Sequence, residues 1–431
     1  MFQTFRNAWK IPELKNRLLF TLAILVVYRL GCAIPVPFVS GSALTQMFAN
    51  GDMLSYLNMM SGGALARCTL FALGVTPYIN ASIIVQLLTV AIPALENLAK
   101  EADGQQKLQQ INRYAGAVVA LIMSIGYYFV IRNMGALKYT SGAAGIFTAV
   151  VIIATFTAGA QLITWCGEQI DDKGIGNGIS LIIMIGIVAR LPHALLAEVN
   201  ARFQTASGSA IMLILELVLL FLVFMATVAL VQAVRKIPVQ YAKRIVGNKQ
   251  YGGVRQYIPL KMNAANVMPI IFAQALMFIP MLFANVAPGF AAAFSDMRGF
   301  WYNLTLGILV VAFTYFYTAI IINPQMMADD MKRNGGFIPG VKPGKATVNY
   351  IDTIMTRITL PGSIFLALVA ILPALAMKFL NIQQAFAYFY GGTSLLIMVG
   401  VILDTLKQIE SYLLMRHYDG LMKTGRIQGR Y

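Results

Sequence analysis

Apolar residues along this chain gather in long blocks, and polar residues are confined to the connections between them. About 20 apolar residues in helical form cross the hydrocarbon core of a bilayer. Blocks of that kind are predicted at Leu18–Pro37, Leu70–Pro93, Tyr114–Ile131, Ile146–Cys166 and Gly178–Ala197. The rest of the chain gives Ala210–Val234, Asn263–Asn285, Tyr302–Ile322, Ile358–Met377 and Gly392–Tyr412. The pattern predicts an all-α polytopic membrane protein with ten transmembrane helices. The first block follows basic residues, as a secretory leader would. It has full span length and ends on Pro35 and Pro37 rather than at small cleavage residues, so it is read as a span.

One stretch does not fit the pattern. Between Met53 and Leu95 the only charge in 43 positions is Arg67, and the run is interrupted only by Ser61-Gly62-Gly63 and by Pro77. As one helix it would be about 64 Å long, against a hydrocarbon core of about 30 Å. Length alone allows two spans, so the choice falls to charge.

With both termini placed inside, the inner connections hold 25 Lys and Arg and the outer ones hold six. That bias is the positive-inside signature. It also demands an even number of crossings between the basic N-terminal arm and the basic connection after Leu95. The long run therefore supplies one crossing, preceded by a re-entrant piece over about 57–70. Re-entrant backbone is tolerated only inside protein or beside a water-filled cavity. Ten spans divide into halves of five, 1–200 and 201–431, which must face opposite ways, an inverted-repeat arrangement.

Composition closes off other classes. The chain of 431 residues is 58% hydrophobic and 12% charged, about half the charge of a soluble domain. Cys32, Cys68 and Cys166 lie in apolar surroundings without metal-ligand spacing, and His193 and His417 are too few for a histidine metal site or triad. Arg29 and Glu216 are the clearest intramembrane charges. An ion site is one reading of them; snorkelling to an interface is the other and is preferred. Gly174-Ile175-Gly176-Asn177-Gly178 is read as a tight turn entering the fifth span. Pro343-Gly344-Lys345-Ala346 lacks the Ser or Thr and the upstream Gly of a nucleotide-binding loop, so no ATPase is recognisable. Val75 and Ile79 are four apart and share a helix face, with Pro77 between them placed to loosen the helix.

The connections 235–262 and 323–357 are long and basic. The first carries seven Lys or Arg, no acidic residue, three tyrosines and a turn at Gly252-Gly253. It reads either as a solvated loop or as a docking arm for an anionic partner. In the second, Gly335–Gly344 reads as a turn-rich tip exposing apolar residues.

Several runs resemble the bacterial SecY family of protein-conducting channels. They are Ser61-Gly62-Gly63-Ala64, Phe71-Ala72-Leu73-Gly74, Pro77-Tyr78-Ile79, Ala81-Ser82-Ile83-Ile84, Gly167-Glu168-Gln169-Ile170, Gly174–Ser180, Tyr241-Ala242-Lys243-Arg244 and Gly391–Leu396. The resemblance implies a pore ring of Val75, Ile79, Ile183, Ile271 and Ile397, where Val75 replaces the usual isoleucine. It implies a plug containing Ser61, Gly62, Gly63, Leu65 and Arg67, and a lateral gate carrying Gln86 and Asn263. Partner docking would fall to Lys243, Arg244, Lys249, Arg255 and Lys342, the last standing where the family has arginine. The implied function is passage of unfolded secretory polypeptides across the bacterial plasma (inner) membrane, with lateral release of transmembrane segments into the lipid bilayer. Implied partners are the small subunits SecE and SecG, the SecA ATPase motor and the ribosome; no cofactor and no catalysis by this chain are implied. Competing readings are a secondary transporter, which would place polar or acidic residues at the midplane, and a scaffold that only recruits ribosomes or nucleic acid.

Overall fold

The structure, a computed structural model, describes Trp9 and residues 11–39, 64–65, 67–100, 104–133, 135–204, 210–241, 244–246, 249–251, 255–277, 294, 296 and 298–423. Two compact units form, Met1–His193 with Val401–Tyr431, and Ala194–Gly400.

The first unit contains α1 (Pro12–Gly31), α2 (Thr76–Ala91), α3 (Pro93–Lys100), α4 (Gly104–Asn133), α5 (Gly142–Lys173) and α6 (Gly178–Val188). The following helix, α7 (Leu191–Gln204), begins at the unit boundary. The second unit adds α8 (Ala210–Gln232), α9 (Met268–Leu276), α10 (Phe300–Ile321), α11 (Pro324–Arg333), α12 (Lys345–Phe379), the short α13 (Gln384–Ala387) and a 3₁₀ turn at Tyr388–Tyr390. The last helix, α14 (Gly392–Lys423), begins in the second unit and ends in the first.

Among the described residues, seven helices are long and apolar enough to cross a membrane. They cover the expected third to sixth and eighth to tenth spans. α1 reaches about 30 Å at 1.5 Å per residue but carries Glu13, Lys15, Arg17 and Arg29. α9 is the described beginning of the expected seventh span, most of whose remainder lies outside the described residues.

The second span is shorter than expected. α2 starts at Thr76, and Leu70–Val75 form turns. Gly74 takes φ +56°, a left-handed conformation that favours glycine and that a helix cannot contain. Pro77 falls in the first turn of α2, where its missing N–H leaves no helical bond unmade, so it starts the helix rather than loosening it. At the far end Pro93 forces Ile92 into extended backbone (φ −108°, ψ 113°), and the helix stops at Ala91.

The two basic connections are not loops. Val234–Tyr241 (β1) pairs antiparallel with Arg255–Lys261 (β4), and Gly336–Phe337 (β5) joins the other edge of β1. Arg244–Val246 (β2) and Lys249–Tyr251 (β3) form a separate hairpin. Ile237, Val239 and Leu260 point inward from the sheet onto Met331, Ile351 and Met355 of α11 and α12. The alternation of apolar and polar residues in β1 was a period-2 signal that reading the segment as a basic connection overlooked. α12 extends 35 residues, about 52 Å, so its first turns project beyond the bilayer as a stalk for this arm.

Candidate functional site

Within the first unit, the backbone between the re-entrant run and α2 is tightly held. Val36 N–H donates to the Cys68 carbonyl at 2.8 Å and Leu70 N–H to the Ile34 carbonyl at 2.9 Å, flanking an antiparallel bridge between Pro35 and Thr69. Tyr127 on α4 donates its hydroxyl to the Leu65 carbonyl at 2.7 Å. Phe71 stacks on Tyr28 of α1 at 5.7 Å. Leu65, Cys68, Ala72 and Leu73 belong to one buried cluster with Val36, Tyr127, Ile131 and Phe156. Gly159 of α5 must be glycine here, because a Cβ would overlap the Leu70 carbonyl oxygen.

Several of the positions expected to form the ring and the plug lie in this unit. Val75 is the buried N-cap of α2, and its carbonyl accepts from Ile79 N–H at 3.1 Å, which keeps the two on one helical turn. Ile183 is buried in α6. Gln86 is half-buried on α2. Leu65 is buried and Arg67 exposed; Ser61, Gly62 and Gly63 lie outside the described residues.

The glycine-rich turn links four helices. Gly176 takes φ +90°, and Asn177 caps α6 by accepting from Ser180 N–H at 2.9 Å. Ile175 N–H donates to Thr21 of α1, Gly176 N–H to Gln408 of α14 at 2.8 Å, and Gly178 N–H to Asp171 of α5 at 2.7 Å. These amides are satisfied by protein, so the turn offers them to no phosphate. A Cβ on Gly178 would overlap the Gly167 carbonyl and one on Gly167 would press on the Ile179 side chain, which explains both glycines at the α5–α6 contact.

In the second unit, Ile271 lies on α9 and Ile397 on α14, both half-buried. Of the five positions expected to form the ring, Val75, Ile79 and Ile183 thus fall in the first unit and Ile271 and Ile397 in the second. Asn263 is only 7% exposed and its side-chain oxygen has no hydrogen-bond partner among the described residues.

Glu216 does not snorkel. It is 1% exposed and pairs with Arg202 of α7 at 2.5 Å. Arg202 also pairs with Glu198 at 3.0 Å and donates to the carbonyls of Leu380 and Asn381. Glu198, also 1% exposed, accepts from Gln383 N–H at 2.8 Å, and Tyr390 donates to the Glu216 carbonyl at 2.8 Å. Burial, with the carboxylates of Glu216 and Glu198 nearby, pushes the Tyr390 phenol up from its ordinary value. Glu198 uses both carboxylate oxygens on protein partners, and Glu216 pairs through Oε1 while its Oε2 has no hydrogen-bond partner among the described residues; the cluster clamps α7 and α8 to the connection after α12. The i,i+4 spacing of Glu198 and Arg202 was the available signal, but both fall beyond the expected end of the fifth span at Ala197. Arg29 lies in the last turn of α1, where a cation suits the helix dipole.

On the arm, Arg244, Lys249 and Arg255 sit in strands, and Lys243 lies outside the described residues. Lys342 is exposed beside an open groove of about 590 Å³ lined in part by Val341, Asn349, Tyr350 and Arg357. The tip is less apolar outside than expected. Ile338 turns inward and is 2% exposed, leaving Phe337 as the large exposed side chain.

Residues 69–406 match the family model described as SecY. The chain belongs to the SecY family. Among SecY relatives, the protein translocase subunit SecY of Streptomyces coelicolor is 43% identical over 98% of this chain and 100% of its own length. That of Mycobacterium tuberculosis H37Rv is 40% identical with the same coverage. The fold is that of solved channels. "The structure of a protein conducting channel" superposes with a TM-score of 0.61 at 18% identity, covering 92% of each chain. Sec61 in the canine ribosome-channel complex gives 0.59 at 16% identity, again over 92% of each chain. SecY membership accounts for the multi-pass helical architecture and leaves the transporter reading without support.

Proposed function

We propose that this chain is the protein-conducting channel of a Sec translocase in the bacterial plasma membrane, with both termini cytoplasmic. The observation that carries the reading is identity of 43% along 98% of the chain to a protein translocase subunit. Unfolded secretory polypeptides pass through it, and transmembrane segments leave sideways into lipid. Val75, Ile79, Ile183, Ile271 and Ile397 form the constriction. Branched aliphatics fit that role because a dry ring excludes water and ions by dewetting. Such a ring can also part around any peptide, since it makes no specific bond.

The re-entrant piece over 57–70 closes the outer side. Gln86 and Asn263 bias the lateral gate toward closure. An amide bond between helices in a membrane is worth about 1–2 kcal/mol or less, weak enough for a signal sequence to break. The buried oxygen of Asn263, which has no hydrogen-bond partner among the described residues, supports a polar role for that position. The strand arm and Lys342 dock the ribosome and the SecA motor, with SecE and SecG as small membrane partners. Energy comes from translation, from SecA hydrolysing ATP or from the proton-motive force. The chain itself performs no catalysis.

The test is crosslinking of a stalled secretory chain to cysteines placed at Ile79 and Ile397 in a complex shown to be active. Crosslinks at both positions are expected; their absence sinks the reading.

A further inference from the structure

The described end of the re-entrant run, from Ala64 on, is bound to its surroundings at several points. We propose that residues 64–65 and 67–74 form a fixed collar of the first unit, held by Tyr127, and that the collar stays in place while polypeptide passes. The proposal rests on the channel reading and narrows it: Leu65 and Arg67 belong to the collar rather than to any displaceable piece.

Three attachments to the rest of the unit and one internal closure carry the inference. The Pro35–Thr69 bridge fixes the collar to the chain leaving α1 through Val36 N–H to Cys68 and Leu70 N–H to Ile34. The Tyr127 hydroxyl fixes Leu65 to α4, and the Cys68 sulfur lies 3.6 Å from the same hydroxyl. The collar closes on itself through Cys68 N–H to Leu65 and Thr69 N–H to Ala64. Its side chains Leu65, Cys68, Phe71, Ala72 and Leu73 are all buried, and Gly159 gives the Leu70 carbonyl close contact with α5. Pulling this segment away would strand several backbone groups in apolar surroundings, where each lost partner is costly, and would open a packed cluster. Arg67 is exposed on the collar, so its charge is presented from a fixed position. Tyr127 acts through the Leu65 carbonyl and is a positioning residue.

The collar can be locked with one substitution, because Cys68 is already present. Val36 N–H donates to the Cys68 carbonyl beside the bridge, and both side chains belong to the same buried cluster, which makes the pair a candidate for a disulfide. The experiment uses the full translocase in proteoliposomes, with Cys32 and Cys166 replaced by alanine and Val36→Cys introduced. If that pair does not oxidise, the closer pair Pro35→Cys with Thr69→Cys is used, and failure of both to crosslink overturns the bridge and the proposal. Expected is precursor translocation by the oxidised channel within twofold of the reduced one. A loss of tenfold or more on oxidation, reversed by dithiothreitol, overturns the collar while leaving the channel reading intact. A reduced variant and parent chain that both fail to translocate sink the channel reading and the collar with it. For Tyr127, Tyr127→Phe is expected to raise ion leak through the resting channel at least threefold, and the Val36–Cys68 crosslink in the same chain to return it to the parent level. A leak that is unchanged, or that the crosslink does not restore, removes Tyr127 from the positioning role.

Discussion

The two units each tie sequence-distant helices together, but with opposite chemistry. In the first unit the Gly174–Gly178 turn is held by neutral side chains and one aspartate, which accept the N–H groups of Ile175, Gly176 and Gly178. In the second, one arginine and two glutamates, the latter almost wholly buried, hold α7, α8 and the connection after α12. The difference lies in how failure is shared. Losing one neutral bond leaves one amide to find a partner. Losing one member of a buried ion cluster leaves uncompensated charge in a low-dielectric setting.

The largest effect should therefore come from the second unit. Arg202→Met strands Glu198 and Glu216 and is expected to destabilise by about 3–5 kcal/mol, read as a lowered thermal midpoint of the purified protein. Adding Glu198→Gln and Glu216→Gln removes the stranded charge and should recover most of that loss. If the triple variant is no better than the single one, charge is not what holds this region. In the first unit the tightest point is steric. Gly178→Ala pushes a methyl against the Gly167 carbonyl and should cost about 1–3 kcal/mol. Gly126→Ala, where nothing lies within 4 Å, should not lower the midpoint, because alanine is the better helix former, and serves as the control. The smallest effect is expected for Gln408→Ala. It removes the partner of the Gly176 N–H and should cost about 1 kcal/mol; a loss rivalling that of Arg202→Met would erase the contrast between the units.

Much of the fold was legible because the bilayer imposes so simple a rule. Seven expected spans recur as long apolar helices, and the turn at Gly174–Gly178 falls where its glycines placed it. Reading failed where local chemistry overrode the apolar block. Gly74 and Pro77 shortened the second span from its start, and Pro93 bounded its end. The basic arm failed for a different reason. Its charge drew attention to partners, while the inward face of Ile237 and Val239, which makes it a sheet, went unread.

The sequence by itself determined the membrane class, the approximate spans, the orientation bias and, through its motifs, the family, since each rests on composition or on residues close together in the chain. Only the tertiary structure decided that Glu216 is paired with Arg202, that Ile338 turns inward, and that Leu65 is held by Tyr127, 62 positions away. Those are contacts between segments whose separation along the chain carries no periodic signal. Whether a polar or apolar group faces water, lipid or a partner is set by packing, and packing exists only once the helices have met.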